Sequence, residues 1–313
     1  MNILKTAGLL IITLMLVPVY AYFYGKSLGP IESEALSTLI RICLGSILYC
    51  FVISELTKNY SQVDKLWSLI PIGYVWVVAA YGDYAPRFIL MAVLVSIWGI
   101  RLTYNFGRRG AYHWKFWEGE EDYRWQVLKQ KPEFKAPWKW TLFNLFFISI
   151  YQNMLILLFT LPSLVALQNS EQVLGFWDYF IGITMCCLII FEAIADQQQW
   201  NFQTQKWTLL KSGKPIPKEY EKGFITNGLW AHCRHPNYFA EQGIWFCFYL
   251  FSVSASGQWF NWSIVGALLL ILLFQGSANF SEEISAGKYP EYKSYQSRVS
   301  KFIPFWKVGS VFK

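Results

Sequence analysis

Charged side chains are scarce in this chain. Asp, Glu, Lys and Arg make up 15% of its 313 residues, whereas 54% of the residues are hydrophobic and 19% are aromatic. In an ordinary soluble domain about a quarter of the residues are charged, so this balance excludes that class. The mean hydropathy of +0.28 points the same way. The composition therefore predicts a protein of the lipid bilayer.

The chain also lacks the short motifs that mark common soluble enzymes. It has no Walker loop and no GxGxxG fingerprint, which argues against a P-loop domain and a Rossmann domain. Its six cysteines form no disulfide framework, since all but Cys233 lie in apolar stretches. Cys233 lies between His232 and His235, but a zinc site takes four ligands and the third histidine, His113, is distant. No metal site is predicted.

Long apolar runs dominate what is present. Each approaches the roughly 20 residues that a helix needs to cross about 30 Å of hydrocarbon, although the third and seventh runs are short. The runs occupy residues 6–24, 36–55, 66–81, 86–105, 140–167, 173–195, 238–254 and 258–276. No small-residue cleavage site follows the first run, so we expect it to be retained as a helix. The sequence predicts an all-α, polytopic membrane helix bundle of about seven or eight transmembrane helices.

Lysine and arginine are distributed unevenly between the predicted loops. They concentrate in residues 106–139, 196–237 and 277–313, whereas the opposite turns carry little more than Lys26 and Arg87. By the positive-inside rule, the three basic segments and both termini are predicted to be cytoplasmic. This topology, with attraction to anionic headgroups, accounts for the net charge of +7 without a nucleic-acid partner.

The segment FEAIADQQQWNFQ (191–203) places acids at the end of the sixth apolar run. Glu192 and Asp196 are one helical turn apart and share a face, which Gln199 and Gln203 continue. Two carboxyl groups at this depth are costly unless something bonds to them. The stripe would suit a hydroxyl-rich ligand such as a ribose, and it would equally suit a hydrogen-bond network between helices.

The segment GLWAHCRHPNYFAE (228–241) places polar residues at the start of the seventh run. Pro236 begins a helix directly after Arg234, so amide hydrogens, a helix dipole and a guanidinium are predicted to form an anion site there. Asn237 and Glu241 are four residues apart on one face, with Tyr238 adjacent. The alternative is that Arg and His here only anchor the chain to lipid headgroups.

Two further polar clusters lie near predicted span ends. WGIRLTYNFGRRG (98–110) places Arg101 about two turns before the end of the fourth run, where it either extends to the headgroups or meets a partner in a cavity. EDYRW (121–125) is predicted either to form an amphipathic helix on the membrane surface or to cover a binding site.

Several of these motifs resemble the carboxyl-terminal domain of the steroid 5α-reductase family. The resemblance is carried by LW-x3-RHPNYFAE (229–241), ADQQ-x3-F (195–202) and KYPEYKSYQ-x6-IP (288–304). W-x2-RL-x6-R (98–109) and EDYRW are similar to uncharacterised bacterial members of the family. The resemblance extends over roughly residues 60–305.

This resemblance implies a membrane oxidoreductase that acts on CH–CH groups. Residues 1–60 would form amino-terminal transmembrane helices, and residues 61–313 a steroid-reductase-like membrane domain with a cytoplasm-facing cofactor pocket. The implied reaction is NADPH-dependent reduction of a conjugated double bond in a hydrophobic small molecule that is steroid-like, isoprenoid or a fatty enone. The implied location is the bilayer of a bacterial inner membrane.

The family's functional positions carry over onto this chain as predictions. Tyr289 and Glu241 are the expected catalytic residues, and Trp98 and Arg101 are the expected substrate contacts. The family's NADPH contacts fall on Asp196, Trp230, Arg234, Asn237, Tyr238, Glu241, Ser285 and Tyr289, and the motifs add Gln199 and His235.

The chain also departs from the family pattern. Gln199 and Gln203 stand where sterol reductases place Lys and Arg, which removes two positive charges that could hold phosphate. Ala240 replaces the usual glycine. Trp98 stands near the position of a tyrosine that helps to hold the steroid carbonyl, and an indole can only donate one hydrogen bond. The steroid itself is therefore not carried over as the substrate.

Two other functions stay open at this stage. Membrane methyltransferases of the isoprenylcysteine type, which use S-adenosylmethionine, share RHPxY and a doubled acid followed by tyrosines, like Glu282, Glu283, Tyr292 and Tyr295 here. A lipid-binding protein without catalysis is the second alternative, and the two glutamine substitutions are its support. The lipid substrate and the oligomeric state are not predicted.

Cysteine-accessibility labelling tests the predicted topology. Single cysteines introduced at Lys129 and Lys214 should react only after the membrane is permeabilised, because both positions lie in predicted cytoplasmic segments. A cysteine introduced at Asp83, in a turn on the opposite side, is the control. Labelling of either lysine position from outside sealed cells would contradict the topology and remove access to cytoplasmic NADPH.

Overall fold

The computed structural model describes residues 19, 23, 25–171, 173–213 and 215–305. Regular secondary structure in these residues is helical, and none of them forms a strand, so the predicted all-α fold is confirmed. The α-helices of the described residues are α1 (Pro30–Thr57), α2 (Gln62–Trp67), α3 (Ile70–Tyr81), α4 (Pro86–Gly107), α5 (Tyr123–Lys129), α6 (Pro137–Phe143), α7 (Gln152–Thr160), α8 (Pro162–Leu167), α9 (Phe176–Ser212), α10 (Lys218–Glu221), α11 (Pro236–Ser256), α12 (Ile264–Lys288) and α13 (Tyr292–Arg298). A π-helical segment, Asn144–Tyr151, joins α6 to α7, and 3-10 turns occupy Pro132–Phe134 and Gly228–Ala231.

Proline begins several of these helices. Pro30, Pro71, Pro86, Pro137 and Pro162 each occupy the first or second helical position. Proline suits these positions because the amide hydrogen that it lacks has no partner inside the helix there, and because its fixed φ already fits the helix. The sequence thus sets the starting points of α1, α3, α4, α6 and α8 directly.

Six helical segments of the described chain are long and apolar enough to cross a bilayer. They are Pro30–Thr57, Gln62–Tyr81, Pro86–Gly107, Pro137–Leu167, Phe176–Ser212 and Ile264–Lys288. Each overlaps one of the predicted apolar runs. By length and composition, the chain is a multi-pass helical membrane protein.

The other two predicted spans differ from expectation. The first run, 6–24, lies almost entirely outside the described residues. The seventh run, 238–254, is helical as part of α11, but polar residues such as Gln242 leave that helix less hydropathic than the six spans. The eighth run begins its helix at Ile264 rather than at 258. Asn261 explains the late start, because its side-chain oxygen accepts from the backbone N–H of residue 263 at 3.1 Å, just before the helix.

The chain forms two compact units. The carboxyl-terminal unit contains Met185–Ile244 and the described part of Ile271–Lys313. The amino-terminal unit contains the described part of Ile3–Thr184 and Trp245–Leu270. The division predicted from the sequence, into amino-terminal helices (1–60) and a membrane domain (61–313), stays a prediction. Most of the predicted site residues belong to the carboxyl-terminal unit.

EDYRW (121–125) is bonded to the start of α2 and to the residue before it in the amino-terminal unit. The backbone N–H of Asp122 donates to Ser61 Oγ at 2.9 Å, and Trp125 Nε1 donates to Asp64 Oδ2 at 2.8 Å. Asp122 also caps α5, because its Oδ1 accepts from the backbone N–H of Arg124 at 2.9 Å. EDYRW therefore joins its loop to the start of α2, a role that neither of the two alternatives from the sequence had named.

A buried ion pair joins α4 to the start of α9 in the same unit. Arg87 Nε and Nη2 each donate to a carboxylate oxygen of Asp178 at 3.0 Å, and the two side chains are 5% and 0% exposed. Asp178 Oδ2 also accepts from the backbone N–H of Gly175 at 2.9 Å. A bidentate pair of this kind combines charge with fixed geometry.

Removing one charge of this pair should destabilise the protein. Asp178→Asn leaves the Arg87 guanidinium buried without a countercharge, a change that costs about 3–5 kcal/mol in other buried pairs. Thermal unfolding in detergent measures the effect. The double variant Arg87→Met with Asp178→Leu should unfold closer to the parent, since replacing a whole buried pair is often nearly neutral. An unchanged midpoint for Asp178→Asn would contradict the expectation.

Candidate functional site

The acidic stripe of α9 meets the start of α11 in the carboxyl-terminal unit. Glu192 and Asp196 are buried, at 4% and 5% exposure. Asn237 Nδ2, on α11, donates to Asp196 Oδ1 at 3.3 Å. Trp230 Nε1 donates to the backbone oxygen of Ala195 at 3.0 Å. The structure thus brings together Asp196, Asn237 and Trp230, which the sequence analysis had predicted as cofactor contacts.

Two buried oxygens beside Asp196 have no hydrogen-bond partner among the described residues. They are Gln199 Oε1, one turn further along α9, and Asn237 Oδ1. Buried polar groups in folded proteins are bonded in the great majority of cases, so each exception asks for an explanation. Both atoms are acceptors, as are carboxylate oxygens. The arrangement can therefore accept hydrogen bonds from the hydroxyl or amide groups of a ligand.

The guanidinium of Arg234 is bonded within the protein. Nε and Nη2 donate to the Oε1 and Oε2 atoms of Glu282 at 2.7 and 3.4 Å. Nη1 donates to the backbone oxygens of Gln296, at 2.8 Å, and Val299. The side chain is 10% exposed. Arg234 is held as an internal anchor rather than as an open anion contact.

The backbone before α11 is occupied as well. The N–H of Arg234 donates to the oxygen of Ser300 at 2.9 Å, and the N–H of His235 donates to the oxygen of Lys301 at 3.1 Å. The segment after α13 thus supplies carbonyl oxygens to the two amides that precede α11. The anion site predicted at RHPNY stays a prediction.

Glu282, which was not among the site residues predicted from the sequence, connects these contacts. It lies on α12 at 6% exposure, and its carboxylate also accepts from Gln296 Nε2 at 2.8 Å and lies 2.9 Å from His235 Nε2. Burial lowers the pKa of His235, and the Glu282 carboxylate opposes that shift. The available sequence signal was the doubled acid Glu282-Glu283 in an otherwise weakly charged helix.

The next turns of α11 pack their polar residues inward. The Tyr238 ring stacks on the His235 ring, with centroids 5.2 Å apart and planes 12° from parallel, and it lies 4.7 Å from the Phe274 ring. Glu241, one turn further along α11, is 4% exposed. Ala240 is fully buried, which fits the small residue expected before the glutamate. A carboxyl group that is this deeply buried can take part in a reaction from which water is excluded.

Glycine lets the loop before α11 approach Tyr289. Gly223 has a φ of 79°, and a Cβ there would lie 2.1 Å from the Tyr289 ring, so only glycine fits. The backbone N–H of Tyr289 donates to the oxygen of Ser285 at 2.8 Å at the end of α12. The ring of Phe224 lies 5.7 Å from that of Tyr289. Tyr289 and Ser285 are partly buried beside this loop.

A second glycine fits the same loop against α9. Gly228 has a φ of 57°, and a Cβ there would lie 2.5 Å from Gln198 Oε1. That oxygen accepts from the backbone N–H of Leu229 at 2.9 Å. Gln198 therefore holds the loop that carries Trp230. This role was not predicted, because Gln198 lies outside the helix face shared by Asp196 and Gln199.

The two predicted substrate contacts lie in the amino-terminal unit. Trp98 is fully buried, and its ring meets that of Trp245 edge-on at 4.9 Å, while Phe159 lies 4.0 Å from Trp245. Trp98 therefore packs in an aromatic cluster. Arg101, one turn further along α4, is partly buried.

Two general features of the described residues bear on ligands. No group of three or more His, Cys, Asp and Glu side chains among them is placed to hold a metal ion. A cavity of about 50 Å³ in the amino-terminal unit is lined by other residues, Gln168 and Asn261 among them. None of the predicted site residues contributes to that cavity.

These features define an all-helical, multi-pass membrane protein with a buried polar cluster in its carboxyl-terminal unit. The chain belongs to the family described as "Protein of unknown function (DUF1295)", whose model matches residues 50–299. It is 36% identical over 278 residues to "Uncharacterized protein C594.04c" of Schizosaccharomyces pombe, covering 85% of this chain and 78% of the relative. No solved structure matches the chain. The predicted bacterial location stays a prediction, and this similarity is to a eukaryotic protein.

Charge removal at Glu282 should release residues 292–305 from the start of α11. In Glu282→Gln, Arg234 and His235 lose their carboxylate, so we expect a loss of stability of about 3–5 kcal/mol, the scale for breaking a buried pair. Limited proteolysis in detergent should cut within 292–305 earlier than in the parent. Glu283→Gln is the matched control, because Glu283 is exposed next to Glu282. Equal protease resistance in both variants would contradict the anchoring role.

Proposed function

We propose that this protein is a membrane-embedded, NADPH-dependent reductase that acts on a conjugated double bond in a lipid. The observation that carries the proposal is the set of acceptors around Asp196: its carboxylate, and the buried Gln199 Oε1 and Asn237 Oδ1 atoms that no described residue bonds. Leaving a buried acceptor without a donor costs about 1–3 kcal/mol. A ligand rich in hydroxyl and amide groups would offset that cost.

The surroundings of this cluster support a nucleotide. Ribose hydroxyls are donors that match carboxylate and amide oxygens. Trp230 is fixed nearby through Ala195, and Tyr238 is fixed by stacking on His235, so both rings are already ordered before a ligand binds. Ordered contacts lower the entropy cost of binding. These features, together with the motifs ADQQ and RHPNYFAE, favour a dinucleotide.

The proposed chemistry needs a hydride and a proton. When bound, NADPH would supply the hydride to one carbon of a double bond conjugated with a carbonyl. The neighbouring carbon then takes a proton, and the double bond becomes a single bond. Glu241, buried on α11, carries a side chain that can donate that proton. Tyr289 stays a proposed cofactor contact. The donor is reprotonated from water at the cytoplasmic side.

The substrate in this proposal is a hydrophobic molecule that enters from the bilayer. The six apolar spans place much of the chain in lipid, which is where an isoprenoid, a fatty enone or a steroid-like molecule would dissolve. Trp98 and Arg101 stay proposed substrate contacts. Arg234 stays a proposed phosphate contact, and it would have to leave Glu282 to act as one.

Methyl transfer is the second candidate, and one observation favours it. The motif RHPNY and the doubled acid, which methyltransferases of the isoprenylcysteine type also have, are in contact through Arg234 and Glu282. S-adenosylmethionine could occupy the same acceptors with its ribose. It carries a positive sulfonium and no phosphate, so basic side chains would contribute little to its binding.

Ligand-induced thermal stabilisation distinguishes these functions. NADPH should raise the unfolding midpoint of the protein in detergent, because any ligand of the folded state stabilises it, and S-adenosylmethionine should raise it less. Asn237→Ala should weaken NADPH binding by about 1–3 kcal/mol. Asn201→Ala is the matched control, because Asn201 is exposed on α9 and, among the described residues, its side chain bonds only to that of Gln197.

The opposite pattern would overturn the reductase proposal. A clear shift with S-adenosylmethionine and none with NADPH would indicate methyl transfer. No shift with either ligand would indicate a lipid-binding protein without catalysis. Equal effects of Asn237→Ala and Asn201→Ala on NADPH binding would show that the buried acceptors around Asp196 are not part of the cofactor site.

A further inference from the structure

Lys206 continues the polar stripe of α9 beyond the glutamines. Asp196, Gln199, Gln203 and Lys206 follow one another at helical spacing and therefore share a face. Lys206 is ten positions after Asp196, which corresponds to about 15 Å along a helix. Lys206 thus places one positive charge at the outer end of the row of acceptors.

Lys206 is buried, yet its ammonium group is only partly bonded. The residue is 7% exposed, and Nζ donates to the backbone oxygen of Gly223 at 3.0 Å. A lysine ammonium has three N–H donors. The other two have no hydrogen-bond acceptor among the described residues. Burying a cation is costly unless it is paired with an anion and its donors are hydrogen-bonded, so an anionic ligand would stabilise Lys206.

Aromatic rings fix the position of this charge. The Nζ atom lies 5.8 Å from the centroid of the Tyr289 ring, 5.6 Å from that of Trp207 and 5.9 Å from that of Phe202. Rings at this distance attract a cation without using its N–H donors. The lysine side chain is therefore held at Tyr289, a predicted cofactor contact, with its donors available.

The other cations expected in this region are not available in the same way. Gln199 and Gln203 are neutral, and the Arg234 guanidinium is bonded to Glu282 and to two backbone oxygens. Lys206 therefore supplies a buried positive charge on the face of α9 that carries Asp196. A phosphate would give it both a countercharge and acceptors, with hydrogen bonds that are stronger than those between neutral groups.

We propose that Lys206 binds the phosphate on the adenosine ribose of the cofactor and makes the site prefer NADPH to NADH. This inference rests on the proposed function, because it assigns one end of the same nucleotide. In this assignment, the acceptors at Asp196 bind the hydroxyl groups of the ribose at the nicotinamide end. Lys206, at the outer end of the stripe, then lies at the adenosine end of the dinucleotide. NADH differs from NADPH only by lacking that phosphate. The difference in affinity between the two cofactors therefore measures the contribution of the phosphate contact.

Binding titrations with NADPH and NADH test the proposal. The parent should bind NADPH more tightly than NADH. Lys206→Gln should weaken NADPH binding by about tenfold or more, the scale for one hydrogen bond to a charged group, and leave NADH binding nearly unchanged. Lys206→Arg should retain the preference because it retains the charge. Lys211→Gln, an exposed lysine of the same helix, is the matched control and should change neither affinity.

A fragment competition makes the test independent of how well the variants fold. Adenosine 2′,5′-bisphosphate should displace NADPH from the parent at lower concentration than adenosine 5′-monophosphate does, because only the former carries the phosphate assigned to Lys206. Equal displacement by the two fragments would overturn the proposal even if Lys206→Gln does not fold.

The failure of this inference is distinguishable from failure of the proposed function. If the parent binds NADPH and NADH equally, or if Lys206→Gln weakens both to the same extent, Lys206 has a structural role at Gly223 and the reductase proposal stands. If the parent binds neither nucleotide, both proposals fall together.

Discussion

The buried carboxylate of Glu282 is the constraint on which the carboxyl-terminal unit depends. A charge removed from water needs a countercharge and hydrogen bonds for its remaining lone pairs. Arg234 and His235 provide them from the start of α11, and Gln296 provides another from α13. One carboxylate therefore fixes both the beginning of α11 and the position of α13. Because Pro236 comes next in the chain, the same contacts also set where α11 begins.

This anchoring positions the polar cluster around Asp196. Asn237 follows the anchored Arg234-His235-Pro236 directly, so its amide reaches Asp196 from a helix end that cannot easily shift. On the other side, Gly223 and Gly228 let the preceding loop approach Tyr289 and Gln198 more closely than any side chain would allow. A site built in this way holds its acceptors in place before a ligand arrives, which reduces the cost of ordering them on binding.

Local patterns in the sequence predicted the features that depend on local physics. Long apolar runs marked six spans, prolines marked helix starts, and the spacing of Glu192 and Asp196 marked the shared face of α9. The partners of Arg234 could not be read in the same way, because Glu282 is 48 residues away and a guanidinium beside a helix start suits a phosphate or a carboxylate equally. The burial of Trp98 against Trp245 was missed for the same reason, since the two residues are far apart in the chain.

The cost of the polar cluster argues for a ligand more strongly than the motifs do. A chain that had lost its cofactor could replace buried acceptors with apolar side chains, and such replacements are often neutral or stabilising. This chain instead keeps Asp196 at 5% exposure, with Gln199 and Asn237 each presenting a buried oxygen that no described residue bonds. It also keeps the buried Lys206 on the same face, with two ammonium donors for which no described residue is an acceptor. Acceptors and one cation in a single row match the hydroxyl groups and phosphate of a nucleotide, whereas a purely structural network would satisfy its own members.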